Sequence, residues 1–205
     1  MRVSIPRLSI PRLSIPQLCR LALPLALALT TSLLPSLASA TVLTFDDLGD
    51  DGDVPVHYGG LDWSGSSWFQ YAGEQAPFAA HSGDRRATLG WDGGADTSAV
   101  RFQTASSFAG AWFAGYEGVS VTIDLYSGGT LVASTATLDL SASPVFLASS
   151  YSGLLDRLVF RSNDPANFVM DDLTFTAAVP EPSTAVLSLA GLGLVGFVAR
   201  RRRHA

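Results

Sequence analysis

Two pairs of adjacent carboxylates frame the central part of the chain, Asp46-Asp47 near its start and Asp171-Asp172 near its end. Each pair lies in an alternating apolar run. Leu43 and Phe45 share one side of an extended chain, and strict alternation puts Asp47 on that side. Val169, Leu173 and Phe175 share a side with Asp171 in the same way. An unpaired carboxylate facing a core is very costly. Three arrangements relieve the cost: a bulge that turns the Asp outward, an Arg partner such as Arg101, or a bound Ca²⁺. Calcium takes roughly six to eight oxygen ligands. Asp46, Asp47, Asp171, Asp172 and nearby carbonyls offer them if the first and last strands lie side by side. The plainer alternative is that both pairs mark strand ends, where the chain turns into solvent. The acidic stretch Asp50-Asp51-Gly52-Asp53 lacks EF-hand spacing and reads as a solvated turn.

Aromatic residues supply a second chemistry. Trp63, Trp68, Trp91 and Trp112 are accompanied by Phe69, Tyr71, Phe113 and Tyr116. Neighbours along a strand face opposite ways, so Trp68 and Phe69 cannot both point inward, nor can Trp112 and Phe113. One of each pair is expected on an outer face. Trp68 and Trp112 there would give a sugar ring an apolar platform, with nearby Asp, Gln and His reading hydroxyls. A Trp that closes a loop or a sheet end fits the same pattern. Catalytic signals are poor. His57 and His81 stand near Gly-rich turns and read as surface residues; no Gly-x-Ser-x-Gly or His-Glu-x-x-His occurs. Glu74 and Glu117 are the only glutamates of the region, so a glycosidase pair would have to use aspartates. No catalytic residue is assigned.

Short alternating runs separated by Gly, Ser, Asn and Asp position these residues, and no helical period persists between Thr41 and Ala178. The pattern predicts an all-β fold, a jelly-roll-like β-sandwich over residues 41–178. Its clearest strand is Val119 to Tyr126. Gly128-Gly129 then makes a hairpin turn, because glycine accepts the positive φ such turns need, and a return strand follows from about Leu131 to Leu140. Further strands are expected near 42–46, 61–64, 68–71, 87–91, 99–103, 111–116, 145–148, 154–160 and 168–176.

This region, about 140 residues, suits one domain with one core. It holds five Arg, no Lys and 17 Asp or Glu, a net charge of −12. Such a surface repels phosphate backbones, which argues against a nucleic-acid partner. The lone Cys19 lies outside the region, so no disulfide or thiolate metal site is expected there.

Arginine concentrates at the two ends instead. Residues 2–20 are basic, Leu21 to Leu34 is apolar, and Ala38-Ser39-Ala40 matches a small-residue cleavage site. Residues 1–40 therefore read as a secretory signal that signal peptidase removes, leaving Thr41 first; a retained anchor is the alternative. At the other end an uncharged stretch, 184–199, precedes Arg200, Arg201, Arg202 and Arg203. It reads as a short transmembrane span held on the cytoplasmic side by the arginines. Gly191, Gly193 and Gly196 leave one helix face open to close contact.

Pro180-Glu181-Pro182, the Gly- and Leu-rich span and the Arg cluster, in this order over residues 179–205, resemble the PEP-CTERM sorting signal. The resemblance implies recognition by the membrane transpeptidase exosortase. It implies transient residence in the inner membrane, then transfer to the cell surface or extracellular matrix of a Gram-negative bacterium that makes exopolysaccharide, biofilm or floc. Thr44-Phe45-Asp46-Asp47-Leu48 and Met170-Asp171-Asp172-Leu173-Thr174-Phe175 also look like the ends of PEP-CTERM cargo domains, which are lectin-like in outline. A sorting tail is an address and assigns no activity. The expected role is a non-catalytic adhesion or polysaccharide-binding module. Its rivals are a structural cargo without a specific ligand and a carbohydrate-active enzyme using Asp46, Asp47 or Asp171.

Overall fold

The alternating runs form twelve antiparallel strands in the computed structural model, which describes residues 39–64, 66–90, 97–179 and 184–203. They are β1 (Ala40–Leu43), β2 (Gly52–Asp53), β3 (Leu61–Asp62), β4 (Trp68–Tyr71), β5 (Arg86–Leu89), β6 (Thr97–Gly115), β7 (Ser120–Ser127), β8 (Thr130–Ser134), β9 (Leu138–Asp139), β10 (Val145–Ala148), β11 (Leu155–Ser162) and β12 (Phe168–Ala177). The expected signal peptide up to residue 38, Trp91 and Pro180-Glu181-Pro182 lie outside the described residues.

The hydrogen-bonded order is β2-β4-β5-β12-β6-β11-β7-β8, with β1 on β12, β3 and β10 on β6, and β9 on β7. Two strands expected at 99–103 and 111–116 are one, β6. Its first half pairs with β11 and β3, and its second half with β12 and β10. One long strand thus serves both layers. The layers close face to face: Trp68 of β4 packs edge-on against Phe160 of β11, ring centroids 5.1 Å apart. The result is an all-β, jelly-roll-like sandwich. Its core holds Trp63, Trp68, Phe113, Ile123, Leu158, Phe160 and Phe168, each at most 2% exposed. Burying side chains of this size, at roughly 25 cal/mol per Å² of apolar surface, is the main force holding the layers together.

The β7–β8 hairpin turns on Gly128 and Gly129, with φ of 59° and 75°, as the Gly-Gly pair requires. The expected return strand breaks after Ser134 and resumes as β9. At the break Thr135 is buried and its hydroxyl accepts the Ile123 N–H, replacing a ladder bond.

Strict alternation fails in β12. Phe168 and Met170 enter the core, and so do Leu173 and Phe175. Val169 instead joins Tyr71 and Ala114 in a second apolar cluster on the outer face of the sheet. The change of phase is a bulge. The β12–β6 register shifts between Asp171 and Thr174, and Asp172 takes a φ of 47°. Opposite Thr174 stands Gly110, where a Cβ would strike the Leu147 carbonyl and the Phe146 ring.

The C-terminal segment, described by itself, is a helix, α1 (Thr184–Arg203). Leu189, Leu192, Leu194, Val195 and Phe197 are all more than 60% exposed. The expected transmembrane span, residues 184–199, falls within this helix. Among the described residues no helix is long and apolar enough to cross a membrane. The 16 uncharged residues before the arginines rise only about 24 Å, against a hydrocarbon core of about 30 Å.

Candidate functional site

The outer face of the β4-β5-β12-β6-β10 layer carries the side chains that the core rejects. Register places Asp171 opposite Trp112, and Trp112 opposite Phe146. A connecting strap, residues 72–85 between β4 and β5, crosses this face. Its two ends are tied by Asp84, whose carboxylate accepts the Gly73 N–H at 3.1 Å.

The bulge aims both aspartates of β12 at the strap. Asp171, 2% exposed, accepts the His81 N–H at 2.8 Å and the Ser82 N–H at 2.9 Å on one oxygen, and the Asp172 N–H at 2.7 Å on the other. Asp172 takes the Ser82 hydroxyl at 2.7 Å, and its other oxygen lies 2.6 Å from His81 Nδ1. Burial pushes the Asp171 carboxyl up to about 6; the Asp172 charge adds to this, and the N–H donors pull against it. From the other side Asp46 accepts the N–H groups of Asp84 and Arg85 at 2.9 and 3.0 Å. Asp47 is exposed and accepts the Tyr58 hydroxyl at 2.6 Å.

Of the three expected ways to relieve Asp171, the structure has the bulge. β1 and β12 do lie side by side, with Leu43 opposite Leu173. Yet Asp171 is not on the core face, because the bulge turns it out, and Asp47 is not either, because β1 ends at Leu43 and Phe45 turns the chain with a φ of 61°. Asp46, Asp171 and Asp172 hold strap residues 81–85 through N–H and O–H donors. Among the described residues no group of three or more His, Cys, Asp or Glu is arranged to hold a metal ion. Arg101 is no partner of Asp171 either; it is exposed on β6 opposite Asp62.

The two candidate tryptophans separate. Trp68 is a core residue, 2% exposed, boxed by Trp63, Phe160 and Phe168; it offers no platform, and its outward neighbour is the half-buried Phe69. Trp112 points outward and is half-buried, while Phe113 is in the core. The His81 imidazole lies flat on the indole, centroids 3.5 Å apart and planes 12° apart, and Phe146, 38% exposed, tilts beside it at 5.5 Å.

His57 and His81 are both exposed, as expected of surface residues, but His81 also has fixed partners. Its approach to Asp172 has the look of a base and its orienting carboxylate. The neighbouring Ser82 gives its hydroxyl to Asp172 and not to the imidazole. What this geometry does is fix an aromatic shelf of Trp112, His81 and Phe146, its imidazole pinned by Asp172. The sequence signal for His81 was weak, because its partners lie 90 and 91 residues away.

At the other end of the chain, residues 178–203 match the PEP-CTERM protein-sorting motif. The chain carries a PEP-CTERM sorting signal. The PEP-CTERM segment takes in α1 and its arginines Arg200 to Arg203, and it marks an exported protein sorted to the cell surface. No curated protein matches the chain in sequence. Among solved structures, a carbohydrate binding module of family 29 is 13% identical, covering 69% of this chain and 90% of that one, with a TM-score of 0.36. TmCBM61 in complex with β-1,4-galactotriose is 10% identical over 61% of this chain and 97% of that one, TM-score 0.35. The CBM36-1 domain of a multidomain xylanase from the hindgut metagenome of Trinervitermes trinervoides is 10% identical over 69% and 99%, TM-score 0.28. No residue role is carried over from similarities of this size.

Proposed function

We propose that this PEP-CTERM protein is an exosortase-processed surface or matrix protein whose β-sandwich is a non-catalytic module binding exopolysaccharide in biofilm or floc. The observation that carries the ligand class is the shelf of Trp112, His81 and Phe146 on an outer sheet face. Sugar rings present apolar C–H faces that stack on such rings, and the imidazole edge offers a polar atom beside them. The shelf is rigid before any ligand arrives, since Asp172 holds His81 and the β10–β6 ladder holds Phe146. Rigid aromatics lose little freedom on binding, which favours recognition.

The sorting half of the proposal rests on the motif. The exposed apolar residues of α1, ending in four arginines, suit contact with a membrane and its transpeptidase before processing. Signal peptidase acts at the other end, after Ala40.

Affinity electrophoresis in gels containing the host's own exopolysaccharide tests the ligand. The protein is expected to be retarded, and Trp112→Ala and Phe146→Ala each to weaken binding roughly fivefold, the equivalent of about 1 kcal/mol per lost aromatic contact. Unretarded parent protein would leave a structural cargo. Release of reducing sugars would point to an enzyme. For sorting, deleting exosortase should leave protein in the membrane fraction that still contains Arg200 to Arg203.

A further inference from the structure

A second aromatic pair stands on the same sheet face as the shelf. Trp112, Ala114 and Tyr116 are alternate residues, so they share the outer side of β6 and of the residue that follows it. The Tyr116 N–H continues the pairing by donating to the Asn167 carbonyl at 3.2 Å. Phe78 of the strap packs against the outer cluster that contains Ala114, and it meets the Tyr116 ring edge-on, centroids 5.4 Å apart. The strap thus sets His81 on Trp112 and, a few residues earlier, Phe78 beside Tyr116. Tyr116 is 50% exposed and Phe146 38%, so both ends of this line present ring surface to solvent. Trp112 and Tyr116 are about 13 Å apart along the extended chain, at roughly 3.3 Å per residue. That span is longer than one sugar ring.

The polar groups beside this line have one chemical character. A cavity of about 400 Å³ is bordered by Phe78, Ala80 and Ala142, with the exposed residues Glu74 and Asp84 in its wall. Arg86 also lines it but is only 2% exposed, so its cation is covered. At the far end Tyr116 borders a second cavity, about 590 Å³, with Glu117, Asp164, Asn163 and Asn167. Carboxylates accept from hydroxyls, and amides both accept and donate. Such groups suit a chain of hydroxyls. They repel a chain that carries carboxylate or sulfate, and so does the whole region from Thr41 to Ala178, with 17 Asp or Glu against five Arg.

We propose that the Trp112-His81-Phe146 shelf and the Phe78-Tyr116 pair are two subsites of one cleft that takes a neutral polysaccharide chain, with a sugar stacked at each end and hydroxyls donated to the neighbouring carboxylates. The proposal rests on the polysaccharide reading of the shelf and specifies it: the ligand is uncharged and longer than one sugar. A chain that reaches both subsites gains the second contact within one complex, so affinity rises with length until both are filled. A monosaccharide fills only one of them.

The test is affinity electrophoresis of the full chain in gels containing the host's exopolysaccharide, separated by anion exchange into neutral and acidic fractions. The neutral fraction is expected to retard the protein, and the acidic fraction to leave it unretarded. Size-graded oligosaccharides from a partial hydrolysate of the neutral fraction then compete for the protein. The tetrasaccharide is expected to compete roughly tenfold better than the monosaccharide, or more. The parent protein alone shows this length dependence, whatever the variants do to stability. Tyr116→Ala should remove most of the gain, and its thermal melt should match the parent's because the side chain is exposed. Tyr116→Phe keeps the ring and should keep the gain. Retardation by the acidic fraction alone, competition independent of length, or a tetrasaccharide advantage that survives Tyr116→Ala each overturns the proposal. In those cases the shelf still stands if Phe146→Ala weakens retardation. If neither fraction retards the parent protein, the broader polysaccharide reading falls as well.

Discussion

Replacing Asp171 by Asn tests whether the strap is held by a buried carboxylate. In the folded protein burial raises this carboxyl to about 6 from a usual value of 3.8. The folded state therefore holds a proton that the unfolded chain has released between about pH 4 and pH 6. Stability from this group is complete below about pH 4 and is lost as pH rises through about 6. The shift of roughly two units corresponds to at most about 3 kcal/mol, at about 1.4 kcal/mol per unit. The substituted asparagine does not titrate, so its contribution is flat. It also places an NH₂ where one carboxylate oxygen accepts an N–H, at a cost of about 1–3 kcal/mol. Asp171→Asn should therefore be clearly destabilising at pH 4 and close to neutral at pH 7, where it also relieves a buried charge. Asp172 and His81 face the same spot, and the Asp172 charge contributes to the upward shift that the substitution removes. Urea denaturation at half-unit pH steps reads this from the midpoints. Parallel midpoint curves from pH 4 to 7 would refute the argument.

Trp68→Ala should cost about 3–5 kcal/mol of stability, as for large aromatic deletions in cores, with no specific effect on glycan binding. Trp68→Phe should cost much less than Trp68→Ala in the same melts, because the Nε1 it removes is buried without a partner. Gly110→Ala should lower the melting temperature and displace β10, seen as faster amide exchange at Leu147, whose carbonyl the new methyl would strike. Mass spectrometry of the exported protein should find Thr41 first, since cleavage there leaves the Thr41–Phe175 to Leu43–Leu173 pairing intact.

The residues show why some features were legible in the sequence and others were not. A strand whose two faces differ in polarity, such as β7, could be read almost to the residue. The length of β6 could not, because a strand that changes layers changes partners without any break in its own pattern. Alternation also misled at Asp171: a one-residue bulge at Asp172 reverses the phase, and Asp tolerates the left-handed conformation with little sign in the sequence. Of the site, Trp112 was legible as one of an adjacent aromatic pair. Which of Trp68 and Phe69 faces inward was not, since local alternation is symmetric and only the opposite layer decides. The role of His81 was hidden for the same reason: it depends on a strap folding back over strands that are distant in the chain.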